Sequence, residues 1–113
     1  MKATFVELPP FASRRAQYLD DDAFRELQHL LMEQPHVGDV IQGAGGLRKM
    51  RLSDGRRGKG KRGGLRVIYF RWESGAQIWL FTLYDKDEVA DLTQAQRKAL
   101  RDMVKAEIGS RSM

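Results

Sequence analysis

The sequence predicts an α+β fold: a small antiparallel sheet with an N-terminal helical hairpin and a C-terminal helix, in the order β-α-α-β-β-β-α. Three observations carry this. Residues 65–72 and 76–84 are rich in Val, Ile, Tyr, Phe and Trp and are separated only by Glu73-Ser74-Gly75, a pattern for a hairpin. Segments 11–34 and 94–108 carry apolar residues at helical spacing instead. Finally, 113 residues with 42% hydrophobic side chains and no cysteine suit one packed core without disulfides, so residues 1–113 form a single domain.

Each element has its own signal. Ala3 to Leu8 is a short β-branched and aromatic run closed by Pro9-Pro10, and reads as the first strand. Phe11, Arg15, Tyr18 and Leu19 then recur at helical spacing, and the aspartates at 20–22 supply an N-cap for a second helix. In that helix Phe24, Leu27, Leu30 and Leu31 make one apolar face, and Pro35 ends it near Gln34. Glycines at 38, 43, 45 and 46 mark turns, Asp39 to Ile41 has the length for a brief pairing, and Leu47 to Leu52 reads as a strand. Residues 54–64 combine glycines with five cations and no apolar side chain, which predicts a mobile loop. Thr93-Gln94-Ala95-Gln96 is a capping box, followed by Ala99, Leu100, Met103, Val104 and Ile108 on one helix face. This order predicts helices against one face of an antiparallel sheet.

The net charge of +5 is unevenly placed. From Leu47 to Arg71 ten Lys or Arg face one acid, Asp54, a local charge of +9, while the remaining residues hold ten bases and fourteen acids, net −4. Charge focused in this way concentrates phosphate-bearing ligands at one surface, so nucleic acid is the leading partner. A solvated basic loop without a partner is the alternative. Arg48, Arg56, Arg57, Lys59, Lys61, Arg62 and Arg71 are the candidate nucleic-acid-binding residues of this segment. No apolar run approaches the roughly 18 residues of a membrane span. The N-terminal segment has no apolar core of a secretory signal, which predicts a cytoplasmic protein.

Other chemistries fit poorly. His29 and His36 are seven residues apart across a helix end, with no cysteine to complete a metal site, so no metal and no cofactor are expected. Neither Gly43–Gly46 nor the glycines near residue 60 have the spacing of a phosphate-binding loop that opens a helix. What remains is a group of cations and one phenol on neighbouring strands. Lys49 and Arg51 share a face by period two, Arg66 lies on the next strand, and Tyr84 and Lys86 end the one after. Such a group can bind an RNA backbone and stabilise a pentacoordinate phosphorane, with a lysine or the tyrosine moving a proton.

The stretches GDVIQGAGGLRKMRL, GGLRVIYF and WLFTLYDKDEVADLTQAQRKAL, in that order, resemble the HigB-type toxins of the RelE/ParE superfamily over nearly the whole chain. The resemblance implies a RelE-like fold and a type II toxin: a metal-independent, ribosome-dependent mRNA endonuclease that leaves 2′,3′-cyclic phosphate and 5′-hydroxyl ends. It implies catalytic roles for Lys49, Arg51, Arg66, Tyr84 and Lys86, with the 70S ribosome and mRNA as targets. A helix-turn-helix antitoxin of the HigA kind is the implied inhibitor, and the free toxin is expected to be a monomer. Members of the same superfamily of the ParE kind poison DNA gyrase, and a nuclease-inactive ribosome-binding module is a third reading; fold alone does not choose among these.

Overall fold

The computed structural model describes residues 3–52, 64–86 and 92–111. Its elements are β1 (Thr4–Glu7), α1 (Pro9–Tyr18), α2 (Asp21–Glu33), β2 (Asp39–Val40), β3 (Arg48–Leu52), β4 (Leu65–Trp72), β5 (Gln77–Asp85) and α3 (Gln94–Arg111). They form the expected α+β fold around one five-stranded, mostly antiparallel sheet of order β1-β5-β4-β3-β2. No described helix is long and apolar enough to cross a membrane.

Several local signals act as anticipated. The Asp20 carboxylate accepts from the Ala23 N–H at 2.8 Å and caps α2. Thr93 and Gln96 satisfy each other's backbone N–H groups at 2.8 and 3.1 Å, so α3 starts with a complete capping box. Helix α1 begins at Pro9, two residues earlier than the sequence suggests, because prolines at the first helical positions lack only an N–H that has no acceptor there. The two-residue β2 is a fifth strand, pairing Asp39 with Lys49 and Val40 with Arg48.

The layering differs from the expectation of helices on one face. Helices α1 and α2 bury Phe11, Tyr18, Leu27 and Leu31 against Met50, Val67, Tyr69 and Leu80 on one side of the sheet. Helix α3 covers the other side, where Val104 packs with Ile68, Trp79 and Phe81. The strand pattern explains why: β4 is buried at Leu65 through Tyr69 without alternation, and a strand apolar on both faces needs a layer on each. Only part of the predicted α3 face is covered, since Ala99 is exposed and Met103 keeps 37% of its surface. The sheet also departs from pure antiparallel pairing at its edge, where β1 runs parallel to β5.

Two irregularities in the central hairpin matter for the site. Between the pairs Tyr69–Leu80 and Ile68–Thr82, β5 carries one extra residue, Phe81. This bulge inverts the side-chain alternation beyond it, so Tyr84 emerges on the α3 side together with Trp79 and Phe81. The turn joining β4 to β5 closes with Ala76 at φ 50°, a left-handed conformation in a residue with a Cβ. Residues 53–63, where the sequence predicts a loop carrying Arg56, Arg57, Lys59, Lys61 and Arg62, lie outside the described residues.

Candidate functional site

Strand register brings the cationic residues together. Arg51 stands directly opposite Arg66, and Arg66 directly opposite Tyr84, which forms a row of two guanidinium groups and a phenol across three adjacent strands. Lys49 is two residues from Arg51 on the same strand face. Lys86 follows β5 immediately and is tied to the start of β4 by a hydrogen bond from its backbone N–H to the Gly64 carbonyl, 3.4 Å. All five residues line one open cleft of about 700 Å³.

Two like charges opposite each other on a sheet cost stability, so the Arg51–Arg66 pair is not explained by folding alone. Arg66 is 7% exposed, and its Nη1 donates to the carbonyl oxygens of Gly64 and Leu65 at 3.4 and 3.3 Å. These bonds hold the buried guanidinium in place on its own strand. Arg51 is exposed and makes no hydrogen bond or ion pair with the described residues. One fixed cation and one unengaged cation, side by side, suit a ligand with delocalised negative charge. Tyr84 is 5% exposed, packed in the α3-side core while its edge reaches the cleft. It also lines a second, mostly apolar groove with Ile68, Leu92 and Leu100.

The cleft contains groups that sequence reasoning missed. Among the described residues Glu26 and Asp39 are its two carboxylates, against the four cations Lys49, Arg51, Arg66 and Lys86, so this lining is net positive. Glu26 comes from the α2 stripe of Ala23, Glu26 and Leu30, whose helical spacing is readable but whose facing strand is not. Asp39 arrives through the short pairing of β2 with Lys49.

Arg48 and Arg71 are placed elsewhere. Arg48 donates to the Gly38 carbonyl at 2.7 Å and the His36 carbonyl at 3.4 Å, fixing the segment that leads from α2 to β2. Arg71 lies five residues beyond Arg66, roughly 17 Å along the strand, where it donates to His36 Nε2 at 2.9 Å and to Glu73 at 3.1 Å. Neither lines the cleft. The same connecting segment is held from within by Tyr69. Its hydroxyl donates to the Pro35 carbonyl at 2.9 Å and accepts from the Gly38 N–H at 3.0 Å. A Cβ on Gly38 would meet the Lys49 carbonyl at 2.9 Å, so only glycine lets the two strands close there. Burial pushes the Tyr69 phenol above its ordinary value, against the hydrogen bond from Gly38 and the nearby Arg48, which lower it.

This layered arrangement, a helical hairpin on one face of the sheet and a single helix on the other, is a RelE-like α+β fold. Three solved structures of E. coli RelE resemble it. A double arginine-to-alanine mutant of the toxin in the free state is 13% identical, with a TM-score of 0.56 over 80% of this chain and 90% of its own. The isolated toxin is 12% identical, with a TM-score of 0.53 over 90% of this chain and 99% of its own. The toxin–antitoxin complex RelBE gives 13% identity and a TM-score of 0.52 over 73% and 94%. No family model matches the sequence.

Proposed function

We propose that this protein is the toxin of a type II toxin–antitoxin pair, of the HigB kind, and that it inhibits translation by cutting mRNA on the ribosome. The observation that carries the reading is the convergence of Lys49, Arg51, Arg66, Tyr84 and Lys86, from three strands and the turn after the last, on one net-positive cleft. The fold it shares with E. coli RelE supports the same reading.

In this mechanism the 2′-hydroxyl of a ribonucleotide attacks the adjacent phosphorus and gives up its proton to water. The new O–P bond forms as the P–O5′ bond breaks, leaving a 2′,3′-cyclic phosphate and a 5′-hydroxyl. Arg66, held rigidly by its strand, and Lys49 stabilise charge on the equatorial phosphate oxygens. Arg51 binds the flanking backbone, and Lys86 or Tyr84 supplies the proton that O5′ needs on departure. The loop cations Arg56, Arg57, Lys59, Lys61 and Arg62 form a landing surface for ribosomal phosphates. A helix-turn-helix antitoxin of the HigA kind holds the toxin inactive, and the free toxin is a cytoplasmic monomer.

Primer extension on translated messages after induced expression tests the activity. Growth arrest with cleavage at codon-defined positions is the expected result. Arrest without cleavage overturns it, and arrest with trapped DNA breaks assigns the protein to the gyrase-directed class instead.

A further inference from the structure

The face of the sheet that carries the row of cations is the one α3 covers. Leu47 is buried with Ile68 on that face, where Leu100 of α3 packs against them. Lys49 and Arg51 follow Leu47 at period two, and Lys49 stands directly opposite Ile68. Helix α3 brings cations of its own to this face. Arg97, Arg101 and Lys105 recur at i, i+4 and i+8 and so form one stripe along the helix. The stripe lies on the flank toward β3. Gly45, two residues before Leu47, packs so closely there that a Cβ on it would stand 3.1 Å from the Arg101 Cγ.

Folding does not account for the two arginines. Each is partly buried, and its Nε is buried with no hydrogen-bond partner. Neither guanidinium makes a hydrogen bond or ion pair with the described residues. An unpartnered buried donor costs stability, and so do like charges one helical turn apart. The carboxylates of α3 do not relieve this: Glu107 pairs with Arg111, and Asp102 stands about 100° around the helix from Arg101. From the geometry we infer that Arg97 and Arg101 bind backbone phosphates of the RNA strand whose scissile phosphate lies at Arg51 and Arg66. Helix α3 and the sheet are then two walls of one RNA track. The inference rests on the nuclease reading above. Packed stems hold the two guanidinium groups in place, and each can donate two N–H groups to one phosphate. One helical turn separates them by about 6 Å, which lets each take its own phosphate of a single strand.

The test is fluorescence anisotropy of the intact chain with a uridine hexanucleotide and a uridine dinucleotide, both 2′-O-methylated so that they cannot be cut. Binding is measured over a range of salt concentrations, beside cleavage of mRNA on programmed ribosomes. Arg97→Gln with Arg101→Gln should weaken hexanucleotide binding by about tenfold or more at low salt, and should reduce the slope of log Kd against log salt by about 1.4, the value for two single-strand phosphate contacts. Dinucleotide binding should not change, because its one phosphate is taken by the row on the sheet. Arg97→Lys with Arg101→Lys should restore the slope. The melting temperature of the glutamine variant should be unchanged or higher, since unpartnered donors are removed. Arg25→Gln takes an exposed cation from α2, across the sheet, and should leave hexanucleotide binding as it is. Wild-type affinity and slope in the glutamine variant overturn the inference, as do an equal loss for both oligonucleotides, an equal loss per charge in Arg25→Gln, a lowered melting temperature, or no binding of the hexanucleotide by the wild type. A loss seen only on ribosomes assigns the pair to ribosomal RNA and overturns it too. The expected binding pattern in a protein that cuts no ribosome-bound mRNA defeats the nuclease reading and leaves the phosphate track standing, which separates the two failures.

Discussion

Replacing Tyr69 with Phe removes one oxygen from a side chain with no exposed surface and leaves its ring packing in place. That oxygen joins two backbone groups, the Pro35 carbonyl and the Gly38 N–H, on the segment that carries the chain from α2 into β2 and Asp39. The Gly38 N–H is buried and loses its partner outright, while the half-buried Pro35 carbonyl can turn toward water. Together they set the cost at about 2–3 kcal/mol. At roughly 4 °C per kcal/mol for a domain of this length, the melting temperature should fall by about 8–12 °C at neutral pH. The difference also depends on pH in a calculable direction. Because burial raises the Tyr69 pKa above 10.0, the folded state holds this proton more tightly than the unfolded chain does. That contribution is complete below about pH 10 and is lost as pH rises through the folded value. Tyr18 and Tyr84 are present in both proteins, so the wild-type advantage over Tyr69→Phe should narrow above about pH 10. Thermal unfolding followed by circular dichroism between about pH 7 and pH 11 measures both effects. A drop smaller than about 2 °C, or a gap that stays constant across the series, refutes the account of Tyr69 as a buried hydrogen-bonding staple.

Three further outcomes are expected. Under the proposed mechanism, in which the fixed guanidinium serves the transition state, Arg66→Ala should lower single-turnover cleavage by about 10²-fold with little change in ribosome affinity; loss of affinity at unchanged rate makes it one more phosphate contact. Lys59→Ala combined with Lys61→Ala should instead weaken ribosome association and flatten its salt dependence, with cleavage of the bound message nearly intact, as filter binding over a range of salt concentrations would report. Ala76→Gly should stabilise the fold by about 0.5–1 kcal/mol, because glycine adopts the left-handed turn conformation without the Cβ clash. An unchanged or lowered denaturation midpoint in urea would count against strain at that turn.

The signals readable in the sequence were those whose causes are local. Asp20 and the Thr93–Gln96 pair cap helices because each bond spans three residues. Period two put Lys49 and Arg51 on one face, and the Val-, Ile- and aromatic-rich runs around Glu73–Gly75 announced the hairpin that holds Arg66 opposite Tyr84. Even the charge asymmetry that pointed to a phosphate-bearing partner was a matter of counting along the chain. Tertiary structure decided what depends on where distant segments meet. The bulge at Phe81 turned Tyr84 toward α3, since one extra residue inverts every side chain beyond it and nothing in the composition of β5 announces the insertion. Parallel addition of β1 beside β5 completed the sheet, and burial of β4 on both faces required α3 opposite the hairpin helices. Arg71 reads in sequence as one more cation of the basic segment, yet strand length carries it to His36 and Glu73, away from the cleft. Glu26 reads as one more charge on the polar side of a helix. It became a cleft residue only because the buried contacts of Leu27 and Leu31 dock α2 with Ala23, Glu26 and Leu30 on the α2-side rim of the cleft, across the sheet from Arg66 and Tyr84.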